Sequence, residues 1–284
     1  VRQLEKQGII DVDYVGVNRN GVVDLVEFKK LLRAETALVS IMYVNNEIGS
    51  IQPISEIAKI IRHARKHEIT TENYPYFHSD ASQGINLINI NLQNLGVDML
   101  SFGSSKIYGP KGVGLLYKKN SINIEPIIFG GGQEIGLRSG TENAPAIVSF
   151  SQAIEKSQSM VILENIRITS LRDLFLKNLS QTIPDVVFHG DSKTNIGGIV
   201  SFTVPQVESD MLILYLDARG FAVSSKSACH SELDEISYVL VAMYGNDAQN
   251  IGGTIRVSIG RYTTQNDLEK FVKNLKEVVD LLKK

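Results

Sequence analysis

The fold is decided by residues 76–117, YFHSDASQGINLININLQNLGVDMLSFGSSKIYGPKGVGLLY. Apolar runs bounded by turn-forming residues predict three short strands here, at 76–80, 97–102 and 113–117. Upstream, the β-branched run TALVSIMYV at 36–44 has the composition of a buried parallel strand. Isoleucines at helical spacing follow it, behind Pro53. Because strands alternate with helices, the pattern predicts a mostly parallel sheet.

The pattern of the chain changes near residue 141. A helix through Ala146 and Ile154 is expected to lead into a second helical stretch at 163–179. Further strands are expected near 199–204, 221–223 and 254–259, and an amphipathic helix from Asn266 closes the chain. We therefore predict an α/β domain at 1–152 and a smaller α+β domain at 153–284.

The composition is that of a soluble globular protein, with 43% hydrophobic and 21% charged residues. A net charge of -2 gives no electrostatic reason to expect nucleic acid or a membrane surface as the main partner. One cysteine in 284 residues excludes an internal disulfide and predicts a reducing compartment, such as the cytoplasm. Because the chain begins with Val1 and not with methionine, we expect the natural start to lie upstream. An organelle is therefore the alternative location to the cytoplasm.

Residues 16–28, GVNRNGVVDLVEF, imitate a calcium-binding loop. Its ligand and turn positions are matched by Asn18, Asn20, Gly21, Asp24 and Glu27. However, the first position carries Gly16 instead of an aspartate, and a strand-like run precedes it where the motif needs a helix. We therefore interpret the segment as a loop that enters a helix at 25–32, and expect no metal site.

Polar residues lie at the ends of predicted strands, where open α/β sheets place their ligands. Asp80 can pair with the protonated ring nitrogen of pyridoxal phosphate and keep the ring an electron sink. Gln83 can donate to the ring's phenolate oxygen, and Lys106 can form the Schiff base. Such residues singly are more often caps, turns or solvated charges. Together, with a glycine-punctuated loop after Lys106, they favour a cofactor site.

Five motifs, in order, resemble those of the cysteine desulfurases and selenocysteine lyases of the class V aminotransferase family. They are HSDASQG at 78–84, GVDMLSFGSSKIYGPKGVGLLY at 96–117, FGGGQEIGLRSGTEN at 129–143, SSKSACHS at 224–231 and TIRVSIGRYTT at 254–264. VSIMYVNNEIG at 39–49 is also family-like, so the resemblance covers nearly the whole chain. It implies the type I fold of pyridoxal-phosphate-dependent transferases, an α/β fold like that of aspartate aminotransferase.

The resemblance also implies roles for single residues. Lys106 would be the Schiff-base lysine, with Asp80 on the pyridine nitrogen and Gln83 on the ring oxygen. Asn46 would lie over the cofactor and touch the substrate carboxylate. Arg256 would hold that carboxylate in a two-pronged ion pair, which the guanidinium geometry suits.

Further implied contacts concern the cofactor phosphate and the neighbouring subunit. Ser104 would be a substitute phosphate donor, because Gly103 stands where the family often has a phosphate-binding serine. Ser105 stands where the family has histidine, directly before the lysine. Thr141 would bind the phosphate in the neighbouring subunit, so the resemblance implies a homodimer.

Cys229 matches the family's sulfur-accepting residue. A lone cysteine is more often a small buried hydrophobe. Here it lies in a polar stretch of small residues, with Lys226 and His230 nearby to favour the thiolate. Attack by this thiolate would leave a persulfide and, after reprotonation, alanine. The products of the reaction would be L-alanine and either an enzyme persulfide or selenide. The resemblance also leaves room for an acceptor protein.

Two features favour the selenocysteine lyase branch. His230 and Ser231 follow the cysteine, where the common desulfurases tend to carry threonine or serine. The segment 65–77 is longer than the tight connection of the bacterial desulfurases.

Other features point away from full activity. The histidine before the lysine is replaced, and we expect an upstream part of the large domain, with a phosphate loop and a ring-stacking histidine, to be missing. Such a sheet would have an exposed edge. The alternative is therefore a catalytically impaired or truncated homologue that acts only as a binding partner. A further alternative, an aminotransferase of the same fold, is disfavoured because Cys229 would have no role in its reaction.

Overall fold

The computed structural model describes residues 1–67, 74–225 and 237–283. Its α-helices α1–α8 are Arg2–Lys6, Leu25–Leu31, Ile54–His67, Leu92–Leu95, Ala144–Thr182, Ser209–Asp217, Tyr238–Tyr244 and Gln265–Leu282. Its strands β1–β7 are Leu38–Ser40, Tyr76–Asp80, Met99–Gly103, Gly114–Lys118, Val187–Phe188, Ile199–Thr203 and Thr254–Ser258. Short 3-10 helices lie at Ser104–Ile107, Gln133–Gly136 and Gly245–Asn250.

The first sheet has the order β1-β2-β3-β4. Strands β1, β2 and β3 are parallel, and β4 returns antiparallel to β3. This confirms the mostly parallel sheet. The run at 36–44 forms a shorter strand than expected, yet it continues alongside β2, since the amides of Ile41 and Tyr43 donate to the carbonyls of His78 and Asp80.

The two faces of this sheet differ because side chains alternate along each strand. One face is mainly apolar: Val39, Phe77 and Leu100 are buried in a core with the isoleucines of α3, and Ser79 of β2 is buried on the same face. The other face carries polar side chains that reach solvent, including Ser40, His78 and Ser101. The functional candidate Asp80 lies on this second face, two residues after His78.

A buried carboxylate, Asp98, ties β2 to the chain on either side of it. Its oxygens accept from the guanidinium of Arg65, from Nζ of Lys119 at 2.7 Å and from the amide of Phe77 at 2.9 Å. Burial alone would raise the pKa of this carboxyl, but the hydrogen bonds from Arg65 and Lys119 outweigh it and hold the pKa below its ordinary value. The ionised form is thus the one that the fold stabilises.

The second sheet, β5-β6-β7, is antiparallel and belongs to the C-terminal part. Every residue of β6 is buried, and Phe202 packs against Phe175 of α5 at 6.3 Å between ring centroids. Helix α8 covers the sheet through Phe271 and Leu275. A capping box starts this helix, because Thr264 and Asp267 exchange side-chain and backbone hydrogen bonds.

Two expectations about local structure were wrong. The two helices expected between 146 and 179 are one continuous helix, α5, which contributes Phe150 to the first core and Ile168 to the second. The boundary at 152 and 153 falls inside this helix, and the division into two domains stays a prediction. The strand expected at 221–223 is absent: the chain meets β7 at an isolated bridge between Ser224 and Arg256, and Phe221 packs on Phe271.

Within the described ranges, no helix is both long and apolar enough to cross a membrane.

Candidate cofactor site at the ends of the parallel strands

Asp80 lies at the carboxyl end of β2, as expected. Its Oδ1 accepts from the amide of Ser82 at 2.8 Å, which starts the turn after the strand. Its carbonyl accepts from Tyr43 at 2.7 Å, and the next amide, that of Ala81, donates to Ser101 at 2.8 Å. The backbone at Asp80 is therefore fixed between its two neighbouring strands, and the half-buried carboxylate is tied to the turn by Ser82.

His78 shares the face of Asp80 and links three strands. Its Nδ1 lies 2.9 Å from Oγ of Ser40, and its Nε2 lies 3.0 Å from Oγ of Ser101. Burial lowers the pKa of His78, while the nearby charge of Asp80 raises it, so the neutral imidazole is favoured. No role for His78 is predicted from the sequence. Its spacing of two from Asp80 in a strand was the signal that places both on one face.

Lys106 lies in the 3-10 helix that follows β3, and its side chain is exposed. The side-chain amide of Asn86 donates to its carbonyl oxygen. Asn86 in turn bonds to Oγ of Ser157 on α5 at 3.0 Å. The helix ends at Tyr108 in the left-handed region, with φ of 64°. The backbone that carries the lysine is therefore held from two sides.

Tyr108 connects the lysine loop to the C-terminal part of the chain. Its hydroxyl accepts from the amide of Arg261 at 2.7 Å, and the Arg261 guanidinium lies 4.6 Å from its ring centroid. Gly260 allows this approach, since a Cβ there would lie 2.9 Å from the hydroxyl. This contact is not predicted from the sequence, because no local pattern contains two residues so far apart in the chain.

Asn46 and Arg256 come together, as the sequence-based roles require. Arg256 on β7 donates from Nη1 to the carbonyl of Asn46 at 2.9 Å. The guanidinium thus reaches the turn after β1, although the two residues are 210 positions apart. The contact is to the backbone of Asn46, which leaves its side-chain amide for other partners.

The remaining candidates lie in different environments. Ser104 is buried, and among the described residues its hydroxyl has no partner. It lies against Gly109, where a Cβ would be 2.2 Å from its Oγ. Ser105 is exposed, and Gln83 is half-buried one turn beyond Asp80. Thr141 is exposed and makes no hydrogen bond within the described part of this chain.

The segment before Thr141 exposes large apolar side chains. Ile127, Phe129 and Ile135 are 91%, 80% and 98% exposed. Glu134 and Ile135 also adopt positive φ values of 51° and 58°, which is rare for such residues. Exposed apolar groups of this size mark contact surfaces more often than solvated loops.

Cys229 lies outside the described residues, as do Lys226, His230 and Ser231. The described chain stops at Ser225 and resumes at Ser237.

The calcium-like residues have structural partners. Asn18 accepts from the amides of Asn20 and Val22, Asp24 caps α2, and Glu27 accepts from the amide of Gly16 at 3.0 Å. In the described ranges, no group of three or more histidine, cysteine, aspartate or glutamate side chains is arranged to hold a metal.

Comparison with known proteins identifies the family of the chain. The family model for aminotransferase class-V matches residues 1–271. The cysteine desulfurase IscS of Dictyoglomus turgidum is 40% identical over 280 residues, which cover 99% of this chain and 68% of that protein. The human cysteine desulfurase is 37% identical over 286 residues, or 99% of this chain and 60% of that protein.

Solved structures give the same result. The structure of a NifS-like protein superposes with a TM-score of 0.88 at 34% identity, covering 99% of this chain and 71% of that one. A NifS-like protein from Rickettsia africae superposes with a TM-score of 0.84 at 30% identity, covering 98% and 72%. The chain spans from three fifths to about seven tenths of the length of the relatives named here. The fold and the sequence together show that this chain belongs to the class-V aminotransferase family, in which the relatives named here are cysteine desulfurases and NifS-like proteins.

Proposed function

We propose that this chain carries the catalytic residues of a pyridoxal-phosphate enzyme that removes sulfur or selenium from L-cysteine or L-selenocysteine and releases L-alanine. One observation carries the proposal. Asp80 and Lys106 follow neighbouring parallel strands, and Arg256 reaches the same end of the sheet through Asn46. The relatives named as cysteine desulfurases support the reaction class.

The side chains present fit the cofactor, which members of this family use. An amine, a carboxylate and an amide lie at the carboxyl ends of parallel strands, where such sheets bind ligands. Lys106 is exposed, and its Nζ makes no hydrogen bond or ion pair with the described residues. One carboxylate oxygen of Asp80 accepts a hydrogen bond from the amide of Ser82, and the other is left to pair with a protonated ring nitrogen. When bound, the cofactor supplies an electron sink for the substrate's α carbon.

The other residues orient the substrate and the cofactor. Arg256 would hold the substrate carboxylate from a guanidinium already fixed on the Asn46 carbonyl. Asn46 would contribute its side-chain amide to the same carboxylate, and Gln83 would donate to the ring oxygen. Ser104 and Ser105 are proposed contacts of the cofactor. The unpartnered hydroxyl of Ser104 is available for such a contact after a side-chain rotation.

Cys229 is the proposed nucleophile. Its thiolate attacks the substrate's sulfur, the bond between that sulfur and the β carbon breaks, and the carbon keeps the electron pair. A proton delivered to that carbon completes alanine, and the sulfur remains on Cys229 as a persulfide. An acceptor protein or a small thiol then takes the sulfur from the persulfide. No external oxidant is needed, because the β carbon keeps the electron pair of the broken C–S bond and is reduced as the transferred sulfur is oxidised to the persulfide level.

We also propose a homodimer. The exposed side chains Ile127, Phe129 and Ile135 lie in the segment that leads to Thr141. A second copy that covers them would bring Thr141 to the partner's phosphate site, as the family resemblance implies. The single cysteine is the argument for a reducing compartment.

Selenium preference is the finer part of the proposal. It rests on His230 and Ser231 and on the length of the segment 65–77, whereas the relatives compared above are named cysteine desulfurases. A binding partner without catalysis is the alternative, favoured by Ser105, which stands where the family has a histidine.

Alanine formation from cysteine and from selenocysteine tests the function in the wild type and in the Lys106→Ala and Cys229→Ala variants. We expect alanine from both substrates in the wild type, loss of the cofactor's visible absorbance in Lys106→Ala, and loss of sulfide release in Cys229→Ala. Selenide release that survives Cys229→Ala would support the selenium preference. A wild type that binds cofactor but makes no alanine would leave the binding-partner alternative.

A further inference from the structure

Glu47 is a buried carboxylate that the proposed chemistry does not use. It follows Asn46 in the turn after β1, and its exposed fraction is 6%. The hydroxyl of Ser237, 9% exposed, donates to its Oε2 at 2.5 Å. This distance is typical of a hydroxyl bound to a carboxylate. Because a buried carboxylate is costly without such a partner, the bond between Glu47 and Ser237 fixes both residues.

The turn that carries Glu47 is itself rigid. Oδ1 of Asn45 accepts from the amides of Glu47 at 2.9 Å and Ile48 at 3.0 Å. The side-chain amide of Asn195 donates to the carbonyl of Ile48 at 2.7 Å. The carboxylate is therefore held from a turn with bonds on both sides, so its position is well defined.

Ser237 uses its hydroxyl twice. It donates to Glu47 and accepts from the amide of Leu240 at 3.3 Å, as the N-cap of α7. Leu240 and Met243 of α7 pack on Ile48 of the same turn. The start of α7 is thus fixed on the turn by a hydrogen bond and by apolar contact.

The chain on either side of residues 226–236 is fixed on this one turn. Ser237 follows that segment and binds Glu47. Before the segment, Ser224 pairs with the backbone of Arg256, whose Nη1 donates to the carbonyl of Asn46. Consecutive residues of the turn therefore fix both flanks of the segment that contains Cys229.

We propose that Glu47 is a positioning residue for Cys229 and acts through Ser237. The turn that presents Asn46 to the substrate then also sets the anchor point of the cysteine-bearing segment, so substrate and nucleophile share one reference point. This inference rests on the proposed role of Cys229 and adds a residue to it.

The Ser237→Asp variant tests the bond. Aspartate caps a helix as well as serine does, but it has no hydroxyl donor and places a second carboxylate against Glu47. Cys229 is the one cysteine of the sequence, so the rate of alkylation of the holoenzyme by iodoacetamide reports on it alone. We expect that rate to rise at least about threefold and kcat to fall about tenfold, since the loss of a charge-assisted bond misplaces the thiol. KM should stay within about twofold, because Arg256 and Asn46 are unchanged.

A reversed pair gives the rescue. In Glu47→Gln combined with Ser237→Asp, the amide of residue 47 can donate to the new carboxylate, so we expect both rates to return to within about twofold of wild type. Ser237→Thr, which keeps the hydroxyl, should behave like the wild type. Thr264→Ala is the matched control: it removes the cap of α8 and should leave both rates unchanged. Should Ser237→Asp not fold, Ser237→Ala removes the donor without adding charge.

The proposal is overturned if Ser237→Asp behaves like Thr264→Ala, or if the double variant is no better than Ser237→Asp. The proposed function can fail separately. If Cys229→Ala turns over cysteine at the wild-type rate, Cys229 is not the nucleophile, while the alkylation rates still decide whether Glu47 positions it.

Discussion

The two sheets of this protein use polar side chains in opposite ways. In the four-stranded sheet, Ser40, His78 and Asp80 lie on a face that reaches solvent. In the three-stranded sheet, the polar side chains Thr203 and Thr254 are buried and bond to each other at 2.6 Å. The first sheet keeps a polar face for ligands, whereas the second is covered on its core side by α5 and α8.

The two histidines on these sheets show the consequence. His78 lies beside Asp80, and the carboxylate opposes the effect of burial on its pKa. His189 lies between Thr203 and Tyr244, and burial lowers its pKa to about 4. Changes on the polar face of the first sheet should therefore alter activity, whereas changes at the buried positions of the second sheet should alter stability. Arg256 on β7 is the exception, because its guanidinium reaches Asn46 at the candidate site.

The largest expected effect is on stability, in the second sheet. Phe202 is fully buried, so Phe202→Ala should lower the free energy of unfolding by about 3–5 kcal/mol. Leu116→Ala is the matched change in the first sheet. Leu116 is 52% exposed, and its truncation should cost less than about 1 kcal/mol. Chemical denaturation of both variants measures the difference.

Equal losses of unfolding free energy in these two variants would contradict the difference drawn between the two sheets. They would mean that the open face of the first sheet is covered in solution, by a second copy or by another polypeptide. Repeating the denaturation at several protein concentrations separates a second copy from the other case, because dimer stability depends on concentration.

The second prediction concerns pH. The unfolded chain binds a proton at His189 near the ordinary value of 6.5, whereas the folded chain does so at about 4. Between these values the unfolded state holds more protons, so stability is fully present above about 6.5 and falls as the pH drops through about 4. The loss from pH 7 to pH 4 is about 3 kcal/mol. His189→Gln, which keeps hydrogen-bonding groups but does not titrate, should flatten this part of a stability profile. An unchanged slope in the variant would assign the acid sensitivity to other groups.

The third prediction moves to the first sheet and to activity. Asp80→Asn should leave the free energy of unfolding nearly unchanged, because asparagine can still accept from Ser82. Alanine formation should fall on the order of 100-fold, since the ring nitrogen loses its anionic partner. Asp185→Asn, in an exposed ion pair with Lys283, should stay within about twofold of the wild type. A fully active Asp80→Asn variant would remove Asp80 from the proposed chemistry.

The sequence predicted the elements that have strong local signals. Strand β2 was placed at its observed bounds, and α3 followed from isoleucines at helical spacing. The single long helix α5 was missed because its middle is polar on several faces, so periodicity suggested two segments. At the site, Lys106 and Asp80 stood out by position at strand ends. The bonds of Tyr108 to Arg261 and of Glu47 to Ser237 span 153 and 190 residues, and no local pattern contains such pairs.

The smallest expected effect uses one variant to separate the two histidines. In Asp80→Asn, His78 loses the carboxylate charge that raises its pKa, while its burial is unchanged. The pKa of His78 should therefore fall further below its wild-type value. That of His189 should not move, because burial alone lowers it. NMR titration of the imidazole signals, assigned with His78→Gln and His189→Gln, measures both shifts in one sample. If the two histidines shift together, the sheets are electrostatically coupled, and the division into a polar site face and a closed scaffold is too simple.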